Sequence, residues 1–122
     1  MMAKLMFVDD DEMTLDLMEK TASILGHSTV LCSQGKEAIN KAISQKPDII
    51  FIDLGLEDID GLKLMKMIRE INELSSIPIL IVTAGHSDQD EEKSLAAGAS
   101  GFLQKPIRFD DLTNAIEKYF KE

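Results

Sequence analysis

The sequence predicts an α/β fold, an open parallel sheet with helices on both faces, and three observations point there. Five short apolar runs recur along the chain, each followed by a segment of helical period. The runs are apolar throughout and do not alternate, which marks strands covered on both faces. At 122 residues and 13.5 kDa the chain fits one domain, since domains most often run to about 100–150 residues. Right-handed crossovers then leave the doubly wound sheet as the chief topology. The area scaling leaves roughly 6,500 Å² exposed on a folded chain of this mass, enough burial for a core without staples.

The first strand is the run Lys4 to Val8, after which acids lead into a helix with an apolar stripe at Met13, Leu17, Thr21, Ile24 and Leu25. Gly26 suits the end of that helix, because glycine adopts the left-handed turn that closes a helix without strain. Thr29 to Cys32 is the second strand, and Ala38, Ile39, Ala42 and Ile43 stripe the helix that Pro47 closes. Ile49 to Ile52 is the third strand, with Leu64, Met65, Ile68 and Ile71 facing inward on the next helix. Ile79 to Val82 is the fourth, entirely apolar, and Ser87 with Asp90 resembles a capping box opening the fourth helix. Gly101 to Gln104 makes a short fifth strand before a helix striped by Leu112, Ala115, Ile116, Tyr119 and Phe120. No linker or repeat interrupts this succession, so residues 1–122 are expected to form a single domain.

Composition narrows the function. Asp and Glu number 22 against 13 Lys and Arg, a net charge of −9. Such a chain repels phosphate backbones, and no basic stripe offsets the charge, which argues against direct nucleic-acid binding. No apolar run approaches the ~20 residues that span a bilayer, and the start lacks a signal peptide's layout. The lone Cys32 cannot form an internal disulfide. A cytoplasmic protein without membrane contact is the expectation.

In open parallel sheets the chemistry gathers at the carboxyl ends of the strands. Asp9, Asp10, Asp11 and Glu12 follow the first strand, Asp53 the third, Thr83 the fourth, and Lys105-Pro106 the fifth. Carboxylates crowded together repel by about 4 kcal/mol per pair at 4 Å and an effective dielectric of 20. A cluster of that kind is stable when protonated, solvated or holding a cation. Oxygen ligands with room for water and phosphate favour Mg²⁺ over Ca²⁺. Asp11 and Glu12 read more simply as charges at a helix N-terminus. Asp53 does not, because Gly55 and Gly61 bracket a loop before the next helix begins.

The motifs Val8-Asp9-Asp10-Asp11-Glu12, Ile52-Asp53 with Asp60-Gly61-Leu62, Val82-Thr83-Ala84 and Gly101-Phe102-Leu103-Gln104-Lys105-Pro106 carry a resemblance. With 30 residues from Asp53 to Thr83 and 22 from Thr83 to Lys105, the whole chain resembles the receiver domain of two-component response regulators, the chemotaxis-regulator type. The resemblance implies a flavodoxin-like (βα)5 fold of strand order 2-1-3-4-5, an order for which a member of this family is a standard example. It implies that Asp53 accepts a phosphoryl group from a phosphohistidine on a sensor histidine kinase or phosphotransfer protein. Asp10 would bind Mg²⁺ directly, Asp9 through water or by its field, and the Gly55 carbonyl would complete the protein ligands. Thr83 and Lys105 would contact phosphoryl oxygens, and the Lys105-Pro106 bond would be cis. The implied role is phosphorelay signalling: the domain catalyses only its own phosphorylation and dephosphorylation and switches a protein-binding surface over residues 88–120.

Some positions depart from the family pattern. Glu57 stands where proline is frequent, Gly55 and Gly85 occupy positions that tune dephosphorylation, and Phe102 is a switch aromatic without a hydroxyl. Phe102 is therefore expected to favour an inward rotamer before phosphorylation. Other residues read as ordinary: His86 as an exposed loop residue, His27 as plain surface, Cys32 as a small buried apolar group, and Lys63, Lys66 and Arg69 as a solvated helix face. The alternative is a receiver that forms part of a larger regulator, ahead of a DNA-binding, cyclic-nucleotide or hybrid-kinase region. An aspartyl-phosphate hydrolase would carry Asp where Gly55 stands, and a flavodoxin would need phosphate-loop donors where the acids stand.

Overall fold

The strands Lys4–Val8 (β1), Ser28–Cys32 (β2), Ile49–Asp53 (β3), Ile79–Thr83 (β4) and Gly101–Gln104 (β5) form one parallel sheet of order β2-β1-β3-β4-β5. The computed structural model describes residues 2–85 and 88–120. The helices are Glu12–Ile24 (α1), Ala38–Gln45 (α2), Gly61–Arg69 (α3), Asp88–Ala96 (α4) and Phe109–Tyr119 (α5). The predicted fold and strand order hold. The exposed surface of 6668 Å² matches the area expected for this mass. Two expectations, the surface position of His86 and the Ser87 cap of α4, lie outside the described residues.

Successive strand residues point to opposite faces, so an unbroken apolar strand feeds two cores at once. Leu5, Phe7, Phe51, Leu80 and Val82 pack with Leu15, Met18, Ala22, Leu112 and Ile116 on one side. Met6, Val8, Ile50, Ile52, Ile79 and Ile81 pack with Ala42, Leu64, Met65 and Ile68 on the other. The Phe7 and Phe51 rings stack at 4.8 Å across the β1–β3 pair. The predicted inward faces of α2, α3 and α5 are those observed.

Helix α1 corrects its expected stripe. Leu15, Met18 and Ala22 are its buried residues, whereas Met13, Leu17 and Ile24 are 80%, 51% and 77% exposed. The helix carries two apolar rows a part-turn apart, and spacing alone fits either. The row containing the small Ala22 faces the sheet. His27 is corrected as well: it is half-buried, and its Nδ1 accepts the Ala3 amide at 2.9 Å, tying the turn after α1 to the start of β1.

Arg69 is likewise not part of a solvated face. Its guanidinium donates to the Gly98, Ser75 and Ile77 carbonyls and to Ser100 Oγ, and burial pushes its pKa down. It satisfies carbonyls left open where α4 ends and β4 begins. Lys63 and Lys66 are exposed as expected.

Candidate functional site

Strand register decides which acids meet. Val8 pairs with Ile52 and Asp53 with Val82. The Asp9 amide continues the β1–β2 pairing by donating to the Cys32 carbonyl at 3.0 Å. Asp9 therefore emerges beside Asp53, and Thr83 ends the neighbouring strand one residue beyond Val82. The Lys105 amide donates to the Thr83 carbonyl at 2.7 Å, which carries Lys105 to the same edge, and the Lys105-Pro106 peptide is cis.

Asp9, Asp10 and Asp53 each present an oxygen within 4.8 Å of the others. Asp9 and Asp53 are only 5% and 8% exposed, so solvent does little to screen their repulsion. Lys105 Nζ answers it, at 2.7 Å from Asp9 Oδ2 and 3.3 Å from Asp53 Oδ2. The other Asp9 oxygen accepts the Asp11 amide at 2.9 Å, and Asp53 Oδ1 accepts the Gly55 amide at 3.1 Å. Asp10, half-exposed, accepts the Glu57 amide on Oδ2 at 3.1 Å. Asp11 caps α1, and the Thr14 hydroxyl chiefly, then the Met13 amide, holds its pKa below the usual range.

Burial pushes the Asp9 pKa up, and the Lys105 hydrogen bond only partly counters it. For Lys105 burial works to lower the pKa, but the Asp9 bond and both carboxylate fields outweigh it and raise it. For Asp9 the chief cause is burial, and for Lys105 it is the two carboxylates that face it. Because Asp9 titrates higher when folded than unfolded, its contribution to stability is full below the ordinary value of 3.8. That contribution is lost as the pH rises through the folded pKa. Asp9→Asn should consequently melt above the parent in metal-free buffer at neutral pH, with the gap closing as the buffer is acidified. Thermal scans from acid to neutral pH check this, and a variant that melts lower at neutral pH would contradict the cost of burying the Asp9 charge.

The loop from Leu54 to Asp60 is held at both ends. Gly61 packs so close to the strand that an added Cβ would lie 2.5 Å from the Asp53 carbonyl oxygen. In the middle, the Asp58 carboxylate accepts the Gly35 and Lys36 amides at 2.9 Å each. The Lys36 amide chiefly, then the Gly35 amide, lowers the Asp58 pKa. Gly35 itself lies against the Ile59 side chain, where a Cβ could not fit.

Five strand-end residues of the sequence reading, Asp9, Asp10, Asp53, Thr83 and Lys105, thus share one edge of the sheet. A profile of the response regulator receiver domain matches residues 5–117. The chain belongs to the response regulator receiver domain family. It is 31% identical to the polar-differentiation response regulator DivK of Brucella anthropi over 114 residues, 93% of each chain. Its fold superposes on the chemotaxis protein CheY4 of Vibrio cholerae with a TM-score of 0.91 at 27% identity, covering 98% of this chain and all of that one. The receiver domain of sensor histidine kinase PA1611 from Pseudomonas aeruginosa, solved with a magnesium ion coordinated in its active-site cleft, gives 0.88 at 26% identity over 98% of both chains.

This receiver domain is therefore a phosphorelay signalling module and not a classical enzyme. Among its described residues no helix is long and apolar enough to cross a membrane. Cys32 is buried, and burial pushes its thiol up to about 11, which suits the packing role read from the sequence. Phe102 is half-buried and packs against the core on the α2–α4 side. The Glu57 amide, the Asp58 clamp and the Arg69 anchor are not legible in the sequence. Asp60 before Gly61 is legible as the cap of α3, but the amides that Asp58 binds lie far away in the chain.

Proposed function

We propose that Asp53 accepts the phosphoryl group from a phosphohistidine of a sensor histidine kinase or phosphotransfer protein. The observation that carries this reading is the convergence of three carboxylates on one ammonium at the carboxyl edge of the sheet. An Asp53 carboxylate oxygen attacks phosphorus, the phosphorus–nitrogen bond breaks, and the imidazole nitrogen keeps the electron pair and takes a proton from solvent. The domain catalyses its own transfer by positioning and charge neutralisation, which are what phosphoryl transfer chiefly asks for.

The donor set fits Mg²⁺. Three carboxylates and Lys105 leave two negative charges, which a divalent cation balances, and all the ligand atoms are hard oxygens. Asp9, Asp10, Asp53 and the Gly55 carbonyl would hold it. Bound there, Mg²⁺ would offset charge on the phosphoryl oxygens. Thr83 then offers its hydroxyl to one phosphoryl oxygen, and Lys105 leaves Asp9 to pair with another.

Met13 and Phe109, 80% and 51% exposed, each follow closely on a strand end at this edge and give a phosphodonor apolar ground beside the pocket. The signal leaves through Thr83 and Phe102 to residues 88–120, where Leu95, Phe102, Leu103 and Tyr119 line a groove of about 370 Å³ suited to a protein target. A cytoplasmic location without nucleic-acid contact suits the charge of −9.

Beryllofluoride with Mg²⁺ tests this reading, because it mimics the phosphoryl group without chemistry. NMR resonances of Asp53, Thr83 and Lys105 should shift first, then those across residues 88–120, with Phe102 moving little. Shifts confined to the pocket would deny a switch surface there, and a large rotamer change at Phe102 would refute the inward bias alone.

A further inference from the structure

Among the described residues, the Glu57 amide is the hydrogen-bond partner of the Asp10 carboxylate, at 3.1 Å. The donor is main chain, so it depends on the loop's path and on position 57 having an N–H at all. Proline, which has none, could not make this bond. The path is well fixed: Asp58 is tied to the Gly35 and Lys36 amides next in line, and Gly61 is wedged against Asp53. An ionised carboxylate has about four lone-pair sites, so one N–H leaves Asp10 with capacity for a cation. Asp9 and Asp53 are oriented by burial and by Lys105. Asp10 is half-exposed, and this amide gives it a fixed direction.

We propose that the main-chain N–H of Glu57 positions Asp10 toward the cation, so that residue 57 tunes Mg²⁺ affinity through its backbone and not through its side chain. The proposal rests on reading Asp9, Asp10 and Asp53 as a Mg²⁺ site. Hydrogen-bond partners behind a metal ligand fix its orientation, and removing them weakens metal affinity by about 10- to 100-fold.

Glu57→Gln and Glu57→Pro lose the same side-chain charge and differ in the N–H. Titrated with MgCl₂ and followed by calorimetry, the Pro variant should bind about 10-fold more weakly than the Gln variant. Equal affinities would overturn the proposal while leaving the metal site intact. Absence of Mg²⁺ binding in the parent protein would remove the metal reading and the proposal with it. Hydrogen exchange gives a second measurement that needs no proline. In metal-free protein the Glu57 amide should exchange slowly, and Asp10→Ala should release it. An amide equally protected in both would overturn the proposal.

Discussion

Asp53→Asn should fold normally and take up no phosphate above background from acetyl phosphate and Mg²⁺. The amide side chain keeps the size and the oxygen that accepts from Gly55, so the loop that starts there has no reason to move. It lacks the charge that makes the Asp53 oxygen a nucleophile, and each other carboxylate at the site already has a partner. Asp9 is held by Lys105 and by the Asp11 amide. Asp10 is turned toward the Glu57 amide, and Asp11 is committed to capping α1. Intact mass reads the result, and the Asn variant should also lose the beryllofluoride-induced shifts over residues 88–120. Labelling that persists in the variant would move the nucleophile elsewhere.

Lys105→Met should have the second largest effect, in two measurable parts. Phosphorylation by the same donor should slow by about 100-fold, the scale of removing one preorganised donor from a charged transition state. Stability in metal-free buffer should fall by about 2 kcal/mol, read by denaturant titration. Fully buried pairs cost about 3–5 kcal/mol when one partner goes, and here Lys105 keeps a fifth of its side chain in solvent. Mg²⁺ should restore part of that stability but little of the rate, because the ion can balance the carboxylates without replacing the ammonium at the phosphoryl oxygen. A variant as stable and as fast as the parent would make Lys105 a bystander.

Most of the fold and the centre of the site are legible in the sequence alone. Strands buried on both faces have no polar side to hide, so β1, β3 and β4 stand out as unbroken apolar runs, and the residue after each run is where the sheet presents its chemistry. That rule alone brings out Asp9, Asp53 and Thr83. What stayed hidden depends on path and not on side-chain type. Met13 and Met18 are the same residue on one helix, yet one is 80% exposed and the other 2%, because the sheet accepts only one of two apolar rows. Glu57 acts through its main chain, which spacing does not record. Arg69 reads as one more charge in a basic row until the chain ends at Gly98, Ser75 and Ile77 arrive around it. His27 needed the start of β1 beside it before its ring nitrogen had a donor to accept.

The central claim is that Asp53 is the phosphoacceptor of a Mg²⁺-dependent site. Its most direct test is peptide mapping of the parent protein by mass spectrometry after treatment with acetyl phosphate, with and without Mg²⁺. The account predicts one acid-labile phosphate, located at Asp53 and absent when Mg²⁺ is withheld. Phosphate carried on Asp11 or His86, or uptake at Asp53 that is indifferent to Mg²⁺, would contradict it.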